Sequence, residues 1–293
     1  MNLGEQMFVS VPLDKSEQLE EYQRHKVNIV MMSTRFLGTR MNNYYTIDEM
    51  IAVNGRNLLP VMVVINRFFY EPEMDELKAQ LIQLYEGGIQ RILCSDLGVL
   101  DLIQSLDLPF YVVLQTDTTM TSLQDINTML SSGCHEVIAA RELSEPELLT
   151  MVDHVKGMLG ISFFGFPLMS SSRKQHVLNY FKEVDLPVSF DYPIEAIEQT
   201  RKDPFLIFED DHGNAVFNGT VVSHLLNADA YRKANVVLYF DTLGLRTEDV
   251  LWCVRAVVDG MASSLILDEM ASRGIAVSRG LLDDATVTGK VQS

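Results

Sequence analysis

The chain has 293 residues, 47% of them hydrophobic and 22% charged, with a formal net charge of −17. That composition supplies a full globular core, and no run approaches the ~18 apolar residues of a membrane span, so no membrane association is expected. The acidic balance repels polyanions, and the densest basic spot is only Arg173-Lys174, so contact with RNA is expected to be indirect, through a more basic partner.

Three cysteines, Cys94, Cys134 and Cys253, in a chain this long imply a reducing compartment and no disulfide framework. The first residues carry neither a basic n-region nor a long apolar h-region, so no signal peptide is expected and the expected location is the cytoplasm.

The first strand is predicted over 7–12 (MFVSVP), a short polar helix over 16–25, and a second strand over 27–32. Residues 35–45 are irregular and hold Arg40; Thr46, with Glu49 three residues on, caps the next helix. A third strand, 61–65, ends at Asn66, and a long helix over 73–86 stops at Gly87-Gly88. The fourth strand, 90–94, ends at Ser95-Asp96 before a helix over 98–106; the fifth, 110–114, ends at Gln115 before a helix over 122–132.

The stretch HEVIAARELS at 135–144 shows the repeating unit most clearly. A short apolar strand is followed at once by Arg141 and Glu142, and Ser144 with Glu147 reads as a capping box for the helix over 144–156. A seventh strand over 160–164 ends at Gly165. The rhythm then breaks: a loop is expected at 167–172, a helix over 174–182 and an extended piece over 187–193. Residues 204–209 and 215–218 flank Asp210-Asp211-His212-Gly213 as a hairpin. A helix over 221–234 leads to the eighth strand, 236–240, ending at Asp241; one long helix follows over 247–272, then a polar tail at 280–293.

Eight strands, most followed by a helix, predict an α/β chain built as a TIM-like (β/α)8 barrel over residues 1–279, with a β-hairpin insertion at about 166–220 between strands seven and eight. A doubly wound open sheet is the alternative, and the sequence leaves closure of the barrel open. In a barrel the C-terminal strand ends share one mouth. The residues there are Pro12, Ser33, Asn66, Asp96, Gln115, Asp117, Arg141, Glu142, Gly165 and Asp241.

Strand ends are wet in any case, so each polar residue alone has an ordinary turn reading. Arg141-Glu142 stands out, because two charges after a buried strand cost desolvation unless paired or used. The candidate catalytic residues are Arg141, Glu142 and Asp96; the candidate ligand-binding residues are Arg40, Asn66, Gln115 and Asp241. Arg40 and Arg141 suit bidentate capture of a small carboxylate. The six histidines show no H-x-x-x-H or H-x-H spacing, so no metal site is expected, and neither a phosphate-cradling glycine loop nor a G-x-S-x-G elbow is present.

In order along the chain, VMVVIN ending at Asn66, Ser95-Asp96-Leu97-Gly98-Val99-Leu100, Gln115-Thr116 through Ser122, Ala140-Arg141-Glu142-Leu143-Ser144, and Glu209-Asp210 with Gly213 resemble motifs of the collagenase-like peptidase family U32. Arg40 occupies the position of the family's arginine after its second strand. The family's His-Gly after the seventh strand, and its nearby cysteine, are replaced by Phe164-Gly165 and Leu168, and its I-E-G-R by Phe240-Asp241-Thr242-Leu243.

Members with an iron–sulfur cluster hold it through four cysteines; this chain resembles the cysteine-poor branch, for which no cofactor of its own is implied. The resemblance implies a partner subunit of a tRNA uridine-hydroxylating system, in a hetero-oligomer with a cysteine-bearing relative. Homo-oligomerisation, a peptidase-type hydrolase, and a small-carboxylate-binding barrel are the alternatives.

Overall fold

The computed structural model describes residues 7–186, 193–199 and 204–284. Seven parallel strands come first: β1 (Phe8–Pro12), β2 (Ile29–Met32), β3 (Val61–Ile65), β4 (Arg91–Cys94), β5 (Tyr111–Leu114), β6 (Glu136–Ile138) and β7 (Met158–Gly165). An inserted antiparallel sheet follows, of β8 (Leu168–Ser172), β9 (Ile194–Ala196), β10 (Phe205–Asp210) and β11 (Gly213–Asn218), in the order β8-β11-β10-β9. After β12 (Val221–Ser223), β13 (Val236–Phe240) pairs with β7 on one side and β1 on the other, closing an eight-stranded barrel. A short β14 (Val277–Ser278) lies beside β12.

The helices are α1 (Leu19–Arg24), α2 (Ile47–Gly55), α3 (Met74–Glu86), α4 (Leu97–Ser105), α5 (Leu123–Ser131), α6 (Glu145–His154), α7 (His176–Glu183), α8 (Thr247–Val258) and α9 (Ser263–Ser272). Thr46 and Ser144 form the capping boxes expected of them. No helix among the described residues is long and apolar enough to cross a membrane.

Side chains alternate along a strand, so each barrel strand feeds two cores. Val9, Val11, Val30, Met32, Val63 and Ile92 face the helices. Met31, Met62, Val64, Leu93, Val113, Ile138 and Tyr239 fill the barrel itself. Burial on both faces is why these strands read as continuous apolar runs rather than alternating ones.

The interior also holds a carboxyl group. Glu136 is 1% exposed and accepts a 2.6 Å hydrogen bond from Tyr239 Oη, while Arg91 stacks 4.3 Å over Tyr111 in the same layer. Burial pushes the Glu136 carboxyl up to about 7. Gly160 makes room for this pair: a Cβ there would stand 2.5 Å from Ile138 Cγ1, 2.9 Å from Tyr239 Cε2 and 3.0 Å from Glu136 Oε1. Gly160→Ala is therefore expected to lower stability by about 1–3 kcal/mol in urea unfolding; an unchanged midpoint contradicts that packing.

Four elements differ from the sequence expectation. The expected loop at 167–172 contains β8, because β11 offers it a ladder. The expected helix over 221–234 is instead β12, paired antiparallel with the end of β7, followed by a 3-10 segment (Leu225–Tyr231). The β-branched Val221 and Val222 suit a strand, and a free sheet edge lies beside them. The long helix over 247–272 breaks into α8 and α9 where Gly260 adopts φ +76°. At the C-terminal end, Leu282 packs on the barrel at 3% exposure while its neighbours in 280–284 are exposed; residues 285–293, and 187–192 of the expected extended piece, lie outside the described residues.

Candidate functional site

A cavity of about 480 Å³ opens at the C-terminal ends of the barrel strands. Pro12, Asn66, Gln115, Gly165 and Asp241 enter it from the ends of β1, β3, β5, β7 and β13, and Arg141 and Glu142 from the turn after β6. Met31, Val64, Leu93, Ile161 and Tyr239 form its apolar floor, and Leu168, Met169 and Phe217 of the inserted sheet form one wall. Leu281 and Leu282 line it from the C-terminal segment.

At β7 and β13 the approach is close enough to demand glycine. Gly165 has φ +151°, and a Cβ on it would meet Asp241 Cβ at 2.7 Å.

Asp117 is the electrostatic centre of the mouth. Arg40 Nη1 lies 3.3 Å from its Oδ2, and Arg141 Nε lies 3.6 Å from its Oδ1. The second distance is too long for a hydrogen bond; Arg141 Nε and Asp117 Oδ1 are buried without a hydrogen-bond partner. Arg40 Nη2 donates to the Asn66 carbonyl at 3.0 Å, and Asn66 Oδ1 accepts from Thr39 N at 2.8 Å. Arg40 and Asp117 both hold left-handed backbone, φ +62° and +64°. Such conformations cost energy in non-glycine residues and persist where surrounding contacts enforce them.

The six residues Arg40, Asn66, Gln115, Arg141, Glu142 and Asp241 thus share one cavity. Asp96 does not. It caps α4, its Oδ1 accepting from Gly98 N at 2.9 Å, and it lies outside the cavity lining. Its strand end carries the helix start directly, so the carboxylate serves the helix N-terminus instead of the mouth. Glu142 is exposed at the rim, and Asp241 Oδ1 accepts from Leu243 N at 3.0 Å in its own turn.

Sequence reasoning missed four contributors. Asp117 is visible as a strand-end residue, but its pairing with two arginines from distant loops is not. Ser162, whose buried Oγ has no hydrogen-bond partner, and Tyr239 follow from strand parity once the barrel is known. Leu282 carried no signal at all.

The C-terminal segment is held by a buried hub. Glu145, the first residue of α6, is 2% exposed. Its carboxylate accepts from Asn227 Nδ2 at 2.6 Å, Arg279 Nη2 at 2.7 Å and Tyr231 Oη at 3.1 Å, with His224 Nδ1 at 3.2 Å. Burial would raise the Glu145 pKa, but the hydrogen bonds from His224, Arg279 and Asn227 outweigh it and hold it at about 2. Glu145 N also donates to the Leu282 carbonyl at 2.9 Å, fixing the cavity's C-terminal wall.

The three thiols lie elsewhere. Cys94, Cys134 and Cys253 are buried between barrel and helices, and none lines the cavity. Burial raises each thiol pKa, that of Cys134 to about 11. A four-cysteine cluster needs four thiolates converging on one place; the residues present do not fit it. Among the described residues no group of three or more His, Cys, Asp or Glu is placed to hold a metal ion.

The chain is 22% identical over 177 residues to the tRNA hydroxylation protein P2 of Bacillus subtilis (strain 168), covering 59% of this chain and 57% of that protein. The chain thus matches little more than half the length of that relative. The solved structure of the U32 peptidase Mk0906 superposes with a TM-score of 0.50 at 11% identity, covering 80% of this chain and 92% of that one. The Mycobacterium tuberculosis tryptophan synthase structure gives 0.48 at 10% identity, over 90% and 93% of the respective chains. The peptidase family U32 model matches residues 14–228, through the six barrel strands β2 to β7, the inserted sheet and the Arg40–Asp117–Arg141 mouth, and the chain belongs to that family.

Proposed function

We propose that this chain serves tRNA hydroxylation as a subunit without a cluster of its own, working beside a cysteine-bearing member of the family. The observation that carries the reading is the combination of a built cavity with thiols that all face away from it. The mouth offers charged and amide groups for binding and orientation, and redox chemistry falls to the partner. The similarity to the B. subtilis protein named for tRNA hydroxylation points to the same process. The net charge of −17 assigns most RNA phosphate contacts to that partner as well.

Co-expression with the cysteine-bearing relative tests this. The two chains are expected to co-elute at micromolar concentration, and tRNA uridine hydroxylation in cells is expected to need both. Independent elution, with hydroxylation unchanged when this chain is deleted, overturns the reading.

A second reading is favoured by one feature of the mouth. Arg141 Nε is a donor buried without a partner, so a small carboxylate placed between Arg40 and Arg141 would supply the acceptor that Asp117, at 3.6 Å, does not. Dicarboxylates are then expected to raise the melting temperature of the chain by a few degrees at concentrations well above Kd, and Arg141→Ala is expected to abolish the shift. A flat response across succinate, malate and glutarate rejects it. A hydrolase finds less support, because Asp96 lies outside the cavity and Ser162 Oγ has no base bonded to it.

A further inference from the structure

A second, smaller groove adjoins the cavity, between the loop after β3 and the inserted sheet. Arg40 and Asn66 line both. Its other walls include Arg67, Phe68, Ser172 and Arg173. Three arginines therefore meet on one groove of a chain whose net charge is −17.

Arg40 is paired with Asp117, Asp210 accepts from Thr39 Oγ1 of the groove wall at 2.9 Å, and the other two arginines share one carboxylate. Glu73 takes Arg67 Nη1 on Oε1 at 2.8 Å and Arg173 Nη2 on Oε2 at 3.1 Å, so one carboxylate answers two guanidiniums. Arg67 is 2% exposed, clamped between the rings of Phe36 and Phe69 at 4.7 and 4.1 Å. Its Nε donates to the Phe36 carbonyl, but its Nη2 is buried with no hydrogen-bond partner. A buried, charged donor left open is costly and marks a place where an acceptor is missing. Arg173 is stacked 4.3 Å over Tyr70, which pre-orients its fork at the rim. Beside them, Phe68 and Tyr70 are 48% and 55% exposed, giving flat apolar faces next to the charge.

We propose that this groove is a phosphate-binding subsite: Arg67 and Arg173 hold the phosphate oxygens, with Glu73 as the internal counter-ion it partly displaces. A phosphate offers more than two oxygens and so can meet both guanidiniums at once, where one carboxylate divides its two oxygens between them. The proposal stands on the groove alone and does not depend on the tRNA reading; co-elution with a partner and phosphate binding fail or succeed separately.

The test uses the full chain in calorimetry and thermal melts at constant ionic strength, with inorganic phosphate, uridine 5′-monophosphate and a short single-stranded RNA as probes, and chloride and acetate as controls. Phosphate is expected to bind where acetate does not, Arg173→Ala to weaken it at least tenfold, and Arg173→Lys to retain part of it. Glu73→Gln is expected to strengthen phosphate binding, a gain that a merely structural role for Glu73 would not produce. Tighter, Arg173-dependent binding of the nucleotide or RNA than of inorganic phosphate identifies a nucleic-acid phosphate as the source. Equal affinities identify the free ion. Equal responses to phosphate and acetate, or binding untouched by Arg173→Ala and Glu73→Gln, overturn the proposal.

Discussion

Replacing Glu145 by alanine is expected to cost the protein roughly 3–5 kcal/mol in denaturant unfolding at neutral pH, the scale at which one partner is removed from a buried charged network. The carboxylate receives Asn227, Arg279, Tyr231 and His224, and two of these side chains, Tyr231 and His224, are 1% and 4% exposed. Without it they lose their acceptor and have no route to water. Arg279 retains Asp283 on the surface, so the loss falls mainly on the 3-10 segment and the start of α6. Glu145→Gln keeps one acceptor oxygen but turns an amide donor toward Arg279 or Asn227, so it is expected to fall between wild type and alanine. The same change should free the wall formed by Leu281 and Leu282, and trypsin is expected to cut at Arg279 faster in the alanine variant. A loss below about 1 kcal/mol, with unchanged cleavage, would show that the hub carries little of the fold.

Glu136→Gln is expected to act in the opposite direction and only at higher pH. The folded chain holds the Glu136 proton up to about pH 7, whereas the ordinary value for the side chain is 4.5. Between those two values the folded state binds a proton that the unfolded state has released. Stability therefore falls as pH rises from 4.5 to 7, and above pH 7 the buried charge costs on the order of 3 kcal/mol. Glutamine keeps an oxygen for the Tyr239 hydroxyl and does not titrate. Its stability relative to wild type is therefore expected to rise by roughly 3 kcal/mol between pH 5 and pH 8 in paired urea titrations. The Glu145 carboxyl does not titrate in this window, because its depressed pKa means that it contributes fully above about 4.5 and is lost only as pH falls toward 2. A variant-minus-wild-type difference that is flat with pH would mean that Glu136 is not a buried acid.

Together the two carboxyls divide the molecule's charged interior. Glu145 is buried but fully answered by donors, so its charge is kept; for Glu136 burial outweighs the Tyr239 and Tyr111 hydroxyls and the Arg91 charge beside it, so its proton is kept. Both lie one layer from the cavity, through His224 and Tyr239, which line it. Neither was recognisable as buried from its neighbours in sequence, since Glu136 follows a histidine and Glu145 sits inside a capping box that explains Ser144 and Glu147 without it.

What the amino-acid order alone determined was everything written in local period and local chemistry. The doubly buried strands announce themselves as short apolar runs, the helices by their caps at Thr46 and Ser144, and the shared mouth by polar residues such as Asn66, Gln115 and Arg141 at strand ends. What only the tertiary structure decided were the pairings between residues far apart in the chain. Arg40 reaches Asp117 across 77 positions and Arg279 reaches Glu145 across 134, and Asp96 was lost from the site because its helix begins where the mouth would need it. The partition has a physical cause: periodicity and capping act within a few residues, whereas an ion pair or a cavity wall depends on how the barrel closes, and closure is set by the summed packing of all eight strands.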